Sequence, residues 1–225
     1  MKHNPLLTNG LSTCFGLLFG ASLIGQAFSG LAAFNEEQIA SGLETISFWQ
    51  YVASSSFAVD VSENWQSEYL QFLLLILISI WLVQKGSPES KELDKRGKES
   101  DKEQLLARFA RPDSPKWAKA GGWRAKVFSN SLGLVMGAIF VASWLVQSIS
   151  GFSAFAESQI GNLQDPGSWG EYVGSPEFWN RTLQNWQSEF LAVWSMVILS
   201  VYLRQRGSPE SKPVGQPHDS TGVSG

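Results

Sequence analysis

Four stretches of this chain are long, apolar and almost free of charge, and that constrains its fold more than any other feature. Residues 11–34 carry no ionisable side chain except the thiol of Cys14. Residues 69–84 contain an unbroken apolar run from Phe72 to Ile78. Residues 131–155 are again uncharged, and residues 190–203 form a shorter apolar run. A bilayer core needs roughly 20 residues of helix. The first and third stretches reach this alone. The second and fourth reach it once Trp65-Gln-Ser and Trp186-Gln-Ser are counted at the interface. Core helices of a soluble bundle would show polar faces, and residues 70–83 have almost none. The expected fold class is therefore all-α: a polytopic membrane protein with four transmembrane helices. Lys2 before the first stretch also fits a secretory signal.

The repeat argues against a signal. Shifting the chain by 121 residues aligns residues 9–91 with 130–212 without a gap, and 34 of the 83 positions are identical. Asn64-Trp-Gln-Ser-Glu68 recurs as Asn185-Trp-Gln-Ser-Glu189, and Gly86-Ser-Pro-Glu-Ser-Lys91 as Gly207-Ser-Pro-Glu-Ser-Lys212. The first stretch thus matches the third, which is internal and cannot be a cleaved signal. The expected organisation is a first transmembrane hairpin over residues 1–91 and a second over 130–212. Between them lies a basic linker, 92–129, and after them a tail, 213–225, rich in Gly, Pro and Ser and expected to be disordered.

The charges orient the hairpins. Residues 35–64 hold no Lys or Arg, and 156–186 hold only Arg181, whereas residues 85–129 hold twelve. The positive-inside rule then places both termini and the linker in the cytoplasm, so both hairpins run in–out–in as parallel repeats. Trp49, Tyr51, Trp65, Trp169, Tyr172, Trp179 and Trp186 fall at the outer boundary, with Trp81 and Tyr202 near the inner one. Aromatic rings with a polar handle favour headgroup depth, so these read as two belts.

In the linker, Ser100 and Glu103 match a capping box that opens a short amphipathic helix with Leu105, Leu106 and Phe109, ended by Pro112. The segment 116–126 is basic, carries Trp117 and Trp123, and is expected to lie along the inner leaflet rather than on nucleic acid. Gly-Ser-Pro-Glu at both cytoplasmic exits reads as a helix stop followed by a new N-cap with proline at the first position.

Two groups of residues are candidates for function. In the first stretch Phe19, Ser22, Gln26, Ser29, Gly30 and Ala33 recur as Phe140, Ser143, Gln147, Ser150, Gly151 and Ala154, spaced to share one helical face. Ser12/Gly16 and Gly133/Gly137 add pairs of small residues. Small residues let membrane helices approach and polar ones bond across the contact, so the expected role is a packing seam between the first and third helices. The sharper reading is a polar pathway lined by Gln26 and Gln147. The second group is Glu68 and Glu189, each one turn after Asn64 or Asn185. A carboxylate at the membrane boundary is a candidate for cation or proton handling when it faces the bundle. The plainer reading is a helix-start carboxylate favoured by the dipole.

One cysteine excludes an internal disulfide and a Cys-rich metal cluster. Two histidines, His3 and His218, both in the tails, argue against haem or a His-ligated metal within the membrane. No metal or cofactor is expected, and no catalytic constellation stands out.

Asn64-Trp-Gln-Ser-Glu-Tyr-Leu-Gln-Phe, Arg111-Pro-Asp-Ser-Pro-Lys-Trp-Ala and Arg204-Gln-Arg-Gly-Ser-Pro-Glu-Ser-Lys-Pro-Val-Gly resemble an uncharacterised family of bacterial membrane proteins, described only as a domain of unknown function. The resemblance covers essentially the whole chain. It implies a bacterial plasma-membrane location and carries over no activity. The expectation is a non-enzymatic membrane protein that packs against lipids, a membrane protein partner or further copies of itself. The alternative is a small oligomeric channel or transporter using Glu68 and Glu189 at an outer vestibule. A membrane enzyme acting on lipid would need a cluster of nucleophile, base or metal ligands near one leaflet, and none is evident.

Overall fold

A computed structural model describes residues 9–223; Lys2 and His3 lie outside them. Every regular element among the described residues is helical. The long helices are α1 (Gly10–Ala40), α3 (Ser55–Ile78), α6 (Ser131–Gly161) and α8 (Pro176–Tyr202). Short helices α2 (Phe48–Val52) and α7 (Trp169–Val173) precede α3 and α8. Helices α4 (Lys116–Ala120) and α5 (Gly122–Ser129) precede α6.

The element bounds follow the sequence repeat. Adding 121 to the bounds of α1 and α2 gives those of α6 and α7, and Ser55 gives Pro176. The turns repeat too. Leu43 N–H donates to Gln38 O at 2.8 Å, and Gln164 N–H to Gln159 O at 2.8 Å. Before α3 and α8 the same device sets the start. Ser54 Oγ accepts from Phe57 N–H at 3.2 Å, and Ser175 Oγ from Phe178 N–H at 3.3 Å. These hydroxyls satisfy one of the donors a helix leaves open at its first turn.

Each of the 31-residue helices α1 and α6 spans about 46 Å at 1.5 Å per residue, more than a bilayer core of about 30 Å. Both are apolar enough to cross a membrane. Only 6% and 17% of their most apolar stretches are buried within the protein, so they are not sealed core helices. Glycine would weaken such helices in water. In hydrocarbon the helix is held because no other partner exists for its amides.

Residues group into two compact units, each drawing on both repeats: Met1–Val61 with Val146–Trp169, and Ser62–Leu145 with Gly170–Gly225. In the first, Tyr51 of α2 is 3% exposed and packs on Phe34 and Phe57 at 5.8 and 5.5 Å between ring centroids. A Cβ on Gly30 would stand 2.2 Å from Tyr51 Oη, so the absence of a side chain there admits the ring. Asn35 closes the loop, accepting from Ile46 N–H at 2.8 Å and donating to Ile46 O at 3.0 Å.

In the second unit, Phe178 sits with Tyr172, Trp179 and Trp144 at 5.6, 5.7 and 6.2 Å. Tyr51 and Tyr172, expected in the outer aromatic belt, are thus buried anchors, because each lies on the side of its short helix that packs on the protein.

The linker departs from its sequence pattern. Ser100 and Glu103 form the capping-box bonds, with Ser100 N–H to Glu103 Oε2 at 2.8 Å. No α-helix follows. Leu105 and Ala107 adopt positive φ of 52° and 51°, which breaks the helical path, and only a 3-10 turn forms, over Ala107–Phe109. Helices α4 and α5 carry the basic segment instead. Their exposed Trp117 and Trp123 meet edge to face at 5.8 Å, with the Arg124 guanidinium 5.7 Å from the Trp123 ring.

Candidate functional site

The two Asn-Trp-Gln-Ser-Glu copies meet where α3 packs on α8. Trp186 Nε1–H donates to Gln66 Oε1 at 2.8 Å, and Arg181 Nε–H to Glu63 Oε2 at 2.8 Å. Gln66, Ser67 and Thr182 are at most 1% exposed, so this contact is polar and dry. Gln66 Nε2 is buried without a hydrogen-bond partner. Below this contact α3 meets α6: a Cβ on Gly133 or Gly137 would touch Leu77 or Leu73 at 3.5 and 3.6 Å.

Glu68 and Glu189 lie roughly three and a half turns inside their helices, counting from Ser55 and Pro176. Neither is a helix-start carboxylate; the first turns are capped by Ser54 and Ser175. Glu68 is exposed, Glu189 is half-buried, and the two charges are close enough to interact. Asn185 Nδ2–H donates to Arg181 O at 3.1 Å, which uses its amide to brace its own helix. Asn64 is exposed, and its carbonyl accepts from Ser67 Oγ at 2.8 Å, as that of Asn185 accepts from Ser188 Oγ at 2.9 Å.

The small and polar faces of α1 and α6 are not equivalent. Ser143, Gln147, Ser150 and Gly151 are buried, whereas Ser22 and Ser29 are exposed and Gln26 and Gly30 half-buried. A Cβ on Gly16 would meet nothing within 4 Å. The space left by Gly30 is taken by α2, and that beside Gly137 by α3. Ser29 and Ser150 bond their own helices, to Gly25 O at 3.0 Å and Val146 O at 2.6 Å.

The Gly-Ser-Pro-Glu-Ser-Lys copies build the same loop twice. No helix follows the proline, contrary to the N-cap reading. Ser90 Oγ instead accepts from Gln84 N–H, and Ser211 Oγ from Gln205 N–H, both at 2.9 Å, closing a turn between residues six apart. Gly86 and Gly207 take φ of 86° and 83°, the left-handed region where glycine carries no steric penalty.

The parallel runs past the last matching residue. Lys91 Nζ–H donates to Gly97 O at 3.2 Å, and Lys212 Nζ–H to His218 O at 2.8 Å, the position 121 residues on. Lys212 is 1% exposed and also reaches the carbonyls of Gly86, Pro217 and Ser220 at 2.6, 3.3 and 3.2 Å. Loss of hydration, and then the Arg204 charge, pull its pKa below the ordinary lysine value. Gly222 N–H donates to Ser87 O at 3.0 Å and Gly86 N–H to Thr221 Oγ1 at 2.9 Å. Residues 213–223, expected from composition to be disordered, are therefore fastened to the first copy's loop, because one buried ammonium gathers carbonyls from both.

Glu89 and Glu210 occupy matching positions in these loops. A hydrogen bond that protonated Glu89 donates to Glu210, then loss of hydration, then the Glu210 charge, push the Glu89 pKa up to about 7. A carboxyl raised in the fold stabilises below its unfolded pKa and loses that contribution as pH rises through about 7. Neither carboxyl was singled out by sequence reasoning; the unbroken identity of the hexapeptide was the available signal.

A family model for a domain of unknown function, DUF6766, matches residues 2–223. The chain belongs to that family. No curated protein and no solved structure matches it. In this DUF6766 chain the residues joined by packing are thus the two repeated motifs, one at each end of the α3–α8 contact.

Proposed function

We propose that this protein is a four-span integral membrane protein of the bacterial plasma membrane that acts without catalysis, by packing against lipids or membrane protein partners. The observation that carries this is the apolar surface of α1 and α6. Leu11, Phe15, Leu17, Ile24 and Phe28 on α1, and Leu132, Val135, Leu145 and Ile149 on α6, each leave half or more of their area uncovered. Faces of that extent in water would aggregate. Lipid removes the penalty. Helices α3 and α8, of 24 and 27 residues, are proposed as the second and fourth spans. The charge distribution supports cytoplasmic termini and a cytoplasmic 85–129 segment. The exposed Trp117–Trp123 pair among Lys116, Lys119, Arg124 and Lys126 suits the headgroups of that leaflet.

Cysteine scanning with an impermeant thiol reagent, in a background lacking Cys14, tests this reading. A cysteine at Ser100 should stay unlabelled in intact cells and one at Ser41 should label. The reverse pattern would sink the topology.

The closeness of Glu68 and Glu189 favours one second reading, a small channel or transporter using both carboxylates. With both replaced by Gln, unchanged folded yield and abolished proton or cation flux in liposomes is the result it requires. Reduced yield, with no flux in either form, assigns them to structure.

A further inference from the structure

We propose that a groove between α3 and α8 binds a lipophilic cation, with the Glu89 carboxylate at its mouth as the counter-charge. The proposal rests on the membrane reading, which sets the groove at lipid depth in the cytoplasmic half.

The groove holds about 520 Å³, within the usual range of small-molecule sites. Its walls are Leu74, Ile78, Leu82, Val193, Trp194 and Val197. Among the described residues, no Lys or Arg lines it. Three of the polar side chains along it donate to backbone carbonyls of the protein. Ser79 Oγ–H donates to Ile76 O, Ser90 Oγ–H to Lys91 O, and Gln84 Nε2–H to Lys85 O. Gln71 Oε1, by contrast, is buried against the groove without a donor. Glu89 closes the cytoplasmic end. An anionic lipid head would meet the Glu89 charge with no Lys or Arg of the lining to offset it. A cation with an apolar body satisfies Glu89, and the exposed Trp194 ring offers its face to the charge.

The loop geometry ties occupancy to protons. Glu210, from the second copy, is the charged group whose field bears on Glu89. Lys91 is engaged with Glu99 at 2.8 Å, Lys212 with its carbonyls, and Arg204 with the carbonyls of Ser200, Val201 and Leu203. Lys85 projects from the same loop and is exposed. A cation therefore competes with the proton on Glu89, whose pKa the Glu210 carboxylate raises.

The test is equilibrium binding of tetraphenylphosphonium to the full-length protein in a non-ionic detergent. Saturable binding is expected at about pH 8, and roughly tenfold weaker binding at about pH 6, from competition at a carboxyl titrating near 7. Glu89→Gln should lower affinity at the higher pH by about tenfold and flatten the pH profile. Glu210→Gln should retain binding and move its pH midpoint down, a shift that a merely structural role for Glu210 would not produce. Val193→Trp, which fills the groove and leaves the loops intact, should abolish binding. No saturable binding by the unaltered protein, or binding undiminished by both Glu89→Gln and Val193→Trp, overturns the proposal. Topology plays no part in detergent, so either failure leaves the membrane reading to the cysteine labelling.

Discussion

Replacing Phe178 by alanine is expected to destabilise the protein by about 3–5 kcal/mol, the range for emptying a closed aromatic site. The ring is 1% exposed and is held by Tyr172, Trp179 and Trp144, and neither Trp can collapse into the space without leaving another aromatic partner. Trp144 also stacks on Phe140 at 6.0 Å, and Trp179 meets Trp186 at 6.5 Å, so the loss propagates toward the Trp186–Gln66 bond. The measurement is the thermal midpoint and folded yield in detergent. Phe178→Leu, which keeps most of the volume, should cost less, about 1.5 kcal/mol. The repeat supplies an internal control. Phe57 matches Phe178 but is only half-buried, so Phe57→Ala should shift the midpoint by less than half as much. Equal losses at both positions would contradict the asymmetry of the two halves.

Lys212→Ala should release the C-terminal segment. Its three N–H donors are shared among four carbonyls within 3.3 Å, and hydrogen bonds to a charged group are worth about 1.5–3 kcal/mol. Removing it leaves Gly86 O, buried beside Val201 and His218, without that donor. The expected loss is about 3 kcal/mol, taking the four contacts as one partly redundant set. Residues 213–223 should then exchange amide hydrogens as an unprotected segment and be trimmed by a broad-specificity protease. Lys91→Ala removes the matching residue of the first copy. That lysine keeps 31% of its side chain in solvent and makes two bonds, so its loss should be near 1 kcal/mol and leave the tail protected. A tail protected equally in both variants would show that Lys212 does not hold it.

These two residues show what a repeat can and cannot foretell. Phe57 and Phe178, like Lys91 and Lys212, are identical in sequence and set in the same local turns. Local chemistry is shared, so the caps, the left-handed glycines and the serine-closed loops recur. Burial is not shared. It depends on which distant element reaches each copy, and that is not written in the residue itself.

In the linker the local signal is obeyed and then overruled. Ser100 and Glu103 bond as their spacing indicates, yet the helix they announce is cut off. Leu105 and Ala107 take a left-handed backbone against their intrinsic preference, a cost that only surrounding structure can offset. Of the candidate residues, Glu68 and Glu189 were legible because a pentapeptide recurs intact. The depth of each in its helix was legible in part, from Ser175-Pro-Glu at the start of α8. Glu89 and Glu210 were hidden inside a motif that reads as punctuation.

The amino-acid sequence by itself determined the helical class, the two apolar helices of membrane-spanning length, the duplication with its offset of 121, and the charge asymmetry between loops. Each of these follows from composition and periodicity along the chain, where neighbours in sequence are neighbours in space. The tertiary structure alone decided that Gly30 makes room for Tyr51, that Trp186 bonds Gln66, that Glu89 lies close enough to Glu210 for that carboxylate to raise its pKa, and that Lys212 gathers carbonyls from two loops. Each of these last three joins residues more than 100 positions apart or from different loops, and hydrogen bonds and desolvation act over a few ångströms of space, whatever the distance along the chain.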